Sequence, residues 1–297
     1  MNTPFRILCA VDASRPAAAA FEQALDMSAR RGAQLVLVHA VSKNRAYSWG
    51  AVERVAALAA LRERAEDQHV PVRVRVQQGD IARVILLHAR AQAPDLIVLG
   101  SHEPVGLARF RFGSIADRVV KGAACPVLLI PAATARVQPA FRKVLCAIDL
   151  SSRSPAVLAD AARFAGDSGP LTLVHVLRDS VPRQYAPVAV PEFSRAMARD
   201  ARQRLYSLLD TQELDADVVV TVSSHAVHEE ILRVAGEIKA DLIVMGATRR
   251  AGLRRRFLGS TALRVSRRAP VPALILPAAH VTQKLSGLEQ ALLGWAA

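Results

Sequence analysis

The sequence predicts an α/β protein of two tandem, doubly wound domains, each a five-stranded parallel sheet with helices on both faces. Three observations point there. A set of segments occurs twice in one order, strand-length runs are continuously apolar, and Ala/Leu/Arg-rich stretches of helical period lie between them. Arg6-Ile-Leu-Cys-Ala-Val-Asp-Ala-Ser14 returns as Lys143-Val-Leu-Cys-Ala-Ile-Asp-Leu-Ser151, and Asp95-Leu-Ile-Val-Leu-Gly100 as Asp241-Leu-Ile-Val-Met-Gly246. Gly113-Ser114 returns as Gly259-Ser260, and Pro126-Val-Leu-Leu-Ile-Pro131 as Pro272-Ala-Leu-Ile-Leu-Pro277.

In the first copy the pattern predicts strands near 6–11, 34–40, 71–78, 95–100 and 126–130, with helices over 15–31, 51–69, 80–93 and 114–123. The second copy repeats the strands near 143–148, 171–177, 217–222, 241–246 and 271–276. Leu35-Val-Leu-Val38 and Leu96-Ile-Val-Leu99 are apolar at every position rather than at alternate ones. A strand buried on both faces reads this way, so the sheets are parallel and covered on each side by right-handed crossover helices. The expected division is a first domain over 1–133, a linker over 134–141, a second domain over 142–279 and a C-terminal helical tail over 280–297. In that tail Leu285, Leu288, Leu292 and Trp295 form an apolar stripe.

Of the 297 residues, 52% are apolar but only 4% aromatic, so Ala, Val and Leu must build the cores. No apolar run reaches the roughly 18–20 residues that span a bilayer, and the N-terminus lacks the layout of a signal peptide. The three cysteines form no disulfide framework. Cys9 and Cys146 occupy matching strands and Cys125 precedes Pro126, which suits reduced, buried thiols and a cytoplasmic location. The net charge of +13 is spread over both halves and comes mostly from Arg, which favours a solvated surface over a nucleic-acid-binding one.

In such a sheet ligands bind beyond the carboxyl ends of the strands, where the strand order reverses. Asp12 and Asp149 end the first strands there. His39 and Val41, with His175 and Leu177, end the second. The loops that open at Gly100 and Gly246 close at Gly113-Ser114 and Gly259-Ser260 before a helix. Glycine allows backbone N–H groups to approach a phosphate, and a helix N-terminus adds partial positive charge. Bland roles compete at several positions. Asp12 or Ser14, with Pro16, can cap the following helix, and Ser151 with Pro155 repeats that arrangement. Ser114-Ile-Ala-Asp117 reads as a capping box. His225 and His228, beside Glu229, are read as a surface helix rather than a metal site.

The combination of Val-Asp-x-Ser, Asp-Leu-Ile-Val-x-Gly, a long loop, Gly-Ser and Cys-Pro-Val-Leu-Leu-Ile-Pro resembles the universal stress protein family over about residues 4–132 and 141–278. The resemblance implies a Rossmann-like fold and an antiparallel meeting of the two fifth strands, giving an intramolecular pseudo-dimer that could assemble further. It also implies an ATP or other adenine-nucleotide site. Gly100, Gly113 and Ser114, or Gly246, Gly259 and Ser260, would cradle phosphates. Asp12 with Val41, or Asp149 with Leu177, would face the adenosine. Nucleotide-binding members carry a second Gly three residues after the first; here Glu103 and Arg249 replace it.

Glu103 and Asp117 make the first loop the less hospitable to anions. The second carries Arg249, Arg250, Arg254, Arg255 and Arg256 before Gly259-Ser260-Thr261, a candidate anion trap. Three functional readings follow. The first is a regulatory nucleotide- or anion-binding protein, the second a nucleotide-free adaptor acting through a protein partner, and the third, ranked last, a slow ATP hydrolase. No nucleophile elbow, P-loop lysine or carboxylate pair assigns a catalytic role to any residue.

Overall fold

The computed structural model describes residues 4–41, 50–101, 114–131, 141–166, 169–178, 186–247 and 259–282. In the first copy β1 (Arg6–Ala10), α1 (Arg15–Arg31), β2 (Gln34–Val41), α2 (Ala51–Glu66), β3 (Val72–Gln78), α3 (Ile81–Gln92), β4 (Leu96–Ser101), α4 (Ser114–Gly122) and β5 (Val127–Pro131) alternate. The second copy supplies β6 (Val144–Ala147), α5 (Ser154–Ala165), β7 (Leu171–Arg178), α6 (Ala186–Thr211), β8 (Asp217–Ser223), α7 (Val227–Glu237), β9 (Leu242–Gly246), α8 (Ser260–Arg268) and β10 (Ala273–Leu276). Linker residues 132–140 and the tail stripe from Leu285 to Trp295 lie outside the described residues.

Each copy is a parallel sheet in which the first strand sits in the middle, β1 between β2 and β4, and β6 between β7 and β9. The Asp of each Asp-Leu-Ile-Val segment holds that central pairing. Asp95 Oδ2 accepts the Arg6 N–H at 2.8 Å, and Asp241 accepts the N–H groups of Arg142 and Lys143 at 2.8 and 3.0 Å. These carboxylates therefore fasten the start of the central strand to its neighbour and leave the opposite, carboxyl edge clear.

The two fifth strands meet antiparallel, with Ala273 opposite Leu129, Leu274 opposite Leu128 and Ile275 opposite Val127. Ten strands thus form one sheet, in the order β3-β2-β1-β4-β5-β10-β9-β6-β7-β8. One apolar layer runs beneath α1, α2, α5 and α6, and a second beneath α3, α4, α7 and α8; both continue through the join. On the first of these faces the copies also touch through cations and rings. The Arg31 guanidinium lies 5.3 Å from the Phe5 ring centre and 5.1 Å from that of Phe164, and Arg163 lies 5.0 Å from Phe5. Such contacts add about 0.5–1 kcal/mol each at exposed sites.

Ala, Val and Leu do fill the interior, and all three cysteines are free, with Cys9 and Cys146 fully buried. Burial is the main force raising all three thiol pKa values, and nearby Asp12, Asp95 and Asp160 add to it at Cys9, Cys125 and Cys146 respectively. Cys125 is pushed from 9.0 up to about 12. Folded thiols keep protons that the unfolded chain has lost, so this stabilisation is present below pH 9 and drains away above it. The unfolding free energy from urea denaturation, measured upward from pH 9, should fall by about 1.4 kcal/mol per pH unit for each such thiol. Combining Cys9→Ala, Cys125→Ala and Cys146→Ala should make that decline shallower.

Candidate functional site

The carboxyl edge of the second copy opens into a cavity of about 350 Å³, a size that suits a small organic ligand. Its floor is the end of β6 and β9, at Ala147, Ile148, Met245, Gly246 and Ala247. Asp149, Ser151 and Arg153, between β6 and α5, form one side together with Ser154 and Val157 on α5. Val174, His175, Val176 and Arg178 come from β7, Val227 and Ile231 from α7, and Thr261 from the first turn of α8. Val281, beyond β10, closes the wall beside α5. The cavity therefore lies where the strand order reverses.

Its polar groups are oriented by short local bonds. Asp149 Oδ1 accepts the Ser151 N–H at 3.0 Å and the Ser154 hydroxyl at 3.3 Å, while Oδ2 has no partner among the described residues. His175 Nδ1 stands 2.7 Å from the Ile148 carbonyl. A carbonyl can only accept, so Nδ1 carries the proton and Nε2 remains for another group. His39 makes the corresponding bond to Val11 at 2.9 Å in the first copy. The N-cap of α8 is Gly259, which gives no side-chain cap, and no acid stands in the first turn. The helix dipole there favours negative charge.

The corresponding place in the first copy is built more tightly. Asp12 is followed by two connecting residues, Ala13 and Ser14, before α1, whereas Asp149 is followed by four, Leu150 to Arg153, before α5. Asp12 Oδ1 accepts from the Ser14 N–H at 2.8 Å, and the Ser14 hydroxyl accepts from the Ala17 N–H at 3.3 Å, capping α1. A Cβ placed on Gly100 would lie 2.4 Å from the Pro16 carbonyl carbon, so the α1 backbone rests on the end of β4. On Gly246 the same atom would meet only a methyl of Val157, at 3.1 Å. Leu150 takes a left-handed conformation, with φ of 56°, and the start of α5 stands away from β9.

This changes two expectations. The capping arrangement of Ser14 is not repeated, because α5 has Arg153 at its N-cap and no side-chain cap, and Ser151 instead accepts the Arg153 N–H at 3.3 Å. Asp117 accepts from Lys121 one turn later at 2.6 Å, and the Ser114 side chain of the expected capping box lies outside the described ones. His225 precedes α7, and His228 is buried, not on a surface face. Its Nε2 lies 3.1 Å from the Arg268 guanidinium on α8, and His228 shares the stripe of Ile231 and Ala235. That spacing, every three to four residues, was the available signal. Among the described residues no three His, Cys, Asp or Glu side chains are grouped to hold a metal.

Of the residues singled out in the sequence, Asp149, Ser151, His175, Gly246 and Thr261 line the cavity, with Gly259 and Ser260 at the start of α8 beside it. Leu177 is not among the lining residues, although Val176 and Arg178 on either side of it are. Asp12, Val41, Gly100 and Ser114 occupy the related positions of the first copy, where the Val41 carbonyl accepts the Gly79 N–H at 3.1 Å. Gly113 and Arg249 lie outside the described residues, as do Glu103 and the other loop arginines. Arg153, Arg178 and Val281 were missed. The longer connection after Asp149 was a signal for Arg153; Val281 had none, because it lies past the last strand.

The fold and cavity define a class: a tandem, doubly wound α/β protein with a ligand-sized site at the switch point of one copy. The Universal stress protein family matches this chain over residues 5–131 and 140–277, and the chain belongs to that family. A universal stress protein of Methanocaldococcus jannaschii is 38% identical over 74 residues, covering 25% of this chain and 44% of its own. One from Mycobacterium tuberculosis H37Rv is 26% identical over 187 residues, covering 62% and 64%. The chain thus spans less than two thirds of the length of these curated relatives. The crystal structure of a universal stress protein from Archaeoglobus fulgidus aligns with a TM-score of 0.67 at 21% identity, over 92% of this chain and 96% of that one. Among the described residues no helix is long and apolar enough to cross a membrane.

Gly100→Ala drives its Cβ into the Pro16 backbone and should cost about 1–3 kcal/mol or more, whereas Gly246→Ala needs only a side-chain shift and should cost less than about 1. Urea denaturation of the two variants checks the difference. Burial, then the charges of Arg268 and Arg264, hold the His228 pKa below its ordinary 6.5, against Glu229. The unfolded chain therefore takes up the proton first, and this contribution is present above pH 6.5 and lost as the pH falls. His228→Gln, which keeps an acceptor, should lose less stability than wild type between pH 6.5 and 5.

Proposed function

We propose that this chain is a stress-associated regulatory protein of the cytoplasm whose second copy binds an adenine nucleotide, ATP or AMP, or a small anion of similar charge. The observation that carries the reading is the cavity over β6 and β9, with a carboxylate at one end and an uncapped helix start at the other. Asp149 Oδ2 suits a ribose hydroxyl. Gly246, Gly259, Ser260 and Thr261 suit phosphate oxygens, with Arg153 and Arg178 on the rim and Arg249 following Gly246 in sequence. In the first copy Asp12, Val41, Gly100, Gly113 and Ser114 form the corresponding set, and α1 crowds it. The units that carry these sites are taken as 1–133 and 142–279. The missing second Gly in both loops favours a second reading, a nucleotide-free adaptor that acts on a protein partner.

Calorimetry with ATP separates the two. Wild type should bind, Gly259→Val should bind more weakly, and Gly113→Val should bind as wild type does. Arg178→Ala should weaken binding about 10- to 150-fold if Arg178 makes one charge-assisted phosphate contact, worth roughly 1.5–3 kcal/mol. Loss only with Gly113→Val would move the site to the first copy. A wild type that neither binds ATP nor carries nucleotide in a native mass spectrum would leave the adaptor.

A further inference from the structure

We propose that the second-copy cavity reads the vicinal diol of a ribose, with His175 Nε2 accepting from one hydroxyl and Asp149 Oδ2 from the other. The inference rests on the reading of that cavity as a nucleotide site and names what the site selects, a ribonucleotide with both sugar hydroxyls free. His175 lines the cavity and is partly exposed. Its Nδ1 donates to the Ile148 carbonyl at 2.7 Å, which fixes the tautomer whose Nε2 is an acceptor. No group among the described residues partners that nitrogen. Asp149 follows Ile148 directly, and β6 and β7 are paired neighbours, so imidazole and carboxylate stand on strand ends about 4.8 Å apart. The Ser151 N–H and the Ser154 hydroxyl already engage Asp149 Oδ1, at 3.0 and 3.3 Å. Oδ2 is left for the ligand.

Two acceptors on adjacent strand ends call for a ligand with two adjacent donors. A cationic donor such as an amine is disfavoured, because Arg153 and Arg178 line the same cavity and the dipole of α8 favours negative charge. Neutral hydroxyls bring the protons without the charge. A ribose presents two of them side by side, next to a base that Val176, Val227, Ile231 and Met245 can cover. The first copy has the same two residues, but there the histidine is sealed. His39 bonds the Val11 carbonyl at 2.9 Å and is fully buried, while the Ser14 N–H and hydroxyl both take Asp12 Oδ1. The histidine braces two strands in each copy, and in the second it also faces the cavity.

Calorimetry of the full chain with ATP, 2′-deoxy-ATP and 3′-deoxy-ATP tests the assignment in wild type, His175→Asn and His175→Gln. The Asn amide can still donate to the Ile148 carbonyl from the place of Nδ1 but offers nothing at Nε2; the Gln amide oxygen can stand at Nε2. Both deoxy analogues should bind wild type more weakly than ATP. The loss should be about 2- to 10-fold for the hydroxyl on His175, one neutral hydrogen bond, and about tenfold or more for the one on Asp149. In His175→Asn the smaller difference should vanish and the larger remain, and His175→Gln should keep both. A histidine that only braces the strands would instead weaken all three nucleotides by one factor. That result, loss of the smaller difference in both variants alike, or equal binding of the three by wild type would overturn the assignment and leave the proposed function standing. Wild type that binds none of the three would overturn both.

Discussion

Three residues on each of two short strands hold the molecule together as one body. Val127, Leu128 and Leu129 pair antiparallel with Ile275, Leu274 and Ala273, and none of the six is more than 2% exposed. Either copy alone would end in an unpaired apolar edge, with backbone donors and acceptors open to any strand that fits. Pairing the two edges satisfies those groups and carries both apolar layers across the join. Each large side chain buried there contributes roughly 1.5–3 kcal/mol. The new outer edges, β3 and β8, are the more polar ones. Arg73, Arg75, Asp217 and Thr221 interrupt their apolar residues, which makes further edge pairing less favourable.

That join also frees the opposite ends of the strands. With both copies anchored along β5 and β10, the carboxyl edges carry no burden of assembly, and each can vary on its own. The variation is small in sequence and large in consequence. Two connecting residues after Asp12 allow Ser14 to cap α1 and press the Pro16 backbone onto Gly100. Four after Asp149, with Leu150 in a left-handed turn, let α5 begin farther from Gly246. One glycine is thus held against helix backbone, and a Cβ on its counterpart would press only on a methyl of Val157. The same motif meets helix backbone in one copy and a side-chain methyl at the margin of a cavity in the other.

Much of the architecture was legible because it rests on local rules. Strand ends agree with the observed ones to within one or two residues, since runs such as Leu96-Ile-Val-Leu99 have no other way to bury every side chain than inside a covered sheet. The switch-point location of the site followed from strand order. Its walls did not. Arg153, Arg178 and Val281 are brought together from three segments, and nothing in the local pattern around any of them signals the other two. His228 was misread for a related reason: its neighbour in sequence, Glu229, is exposed, and only the packing of α7 on α8 shows which face is inward.

By itself, then, the sequence determined the repeat, the parallel order of each sheet, the apolar nature of both terminal strands and the edge at which a ligand could enter. These are consequences of side-chain periodicity and of the short reach of each connection. Only the tertiary structure decided how closely the first helix of each copy approaches that edge. That outcome depends on where a helix N-terminus comes to rest against a strand end, at Gly100 and Gly246. Distances of that kind are set by the sum of packing across the sheet, and no single segment encodes them.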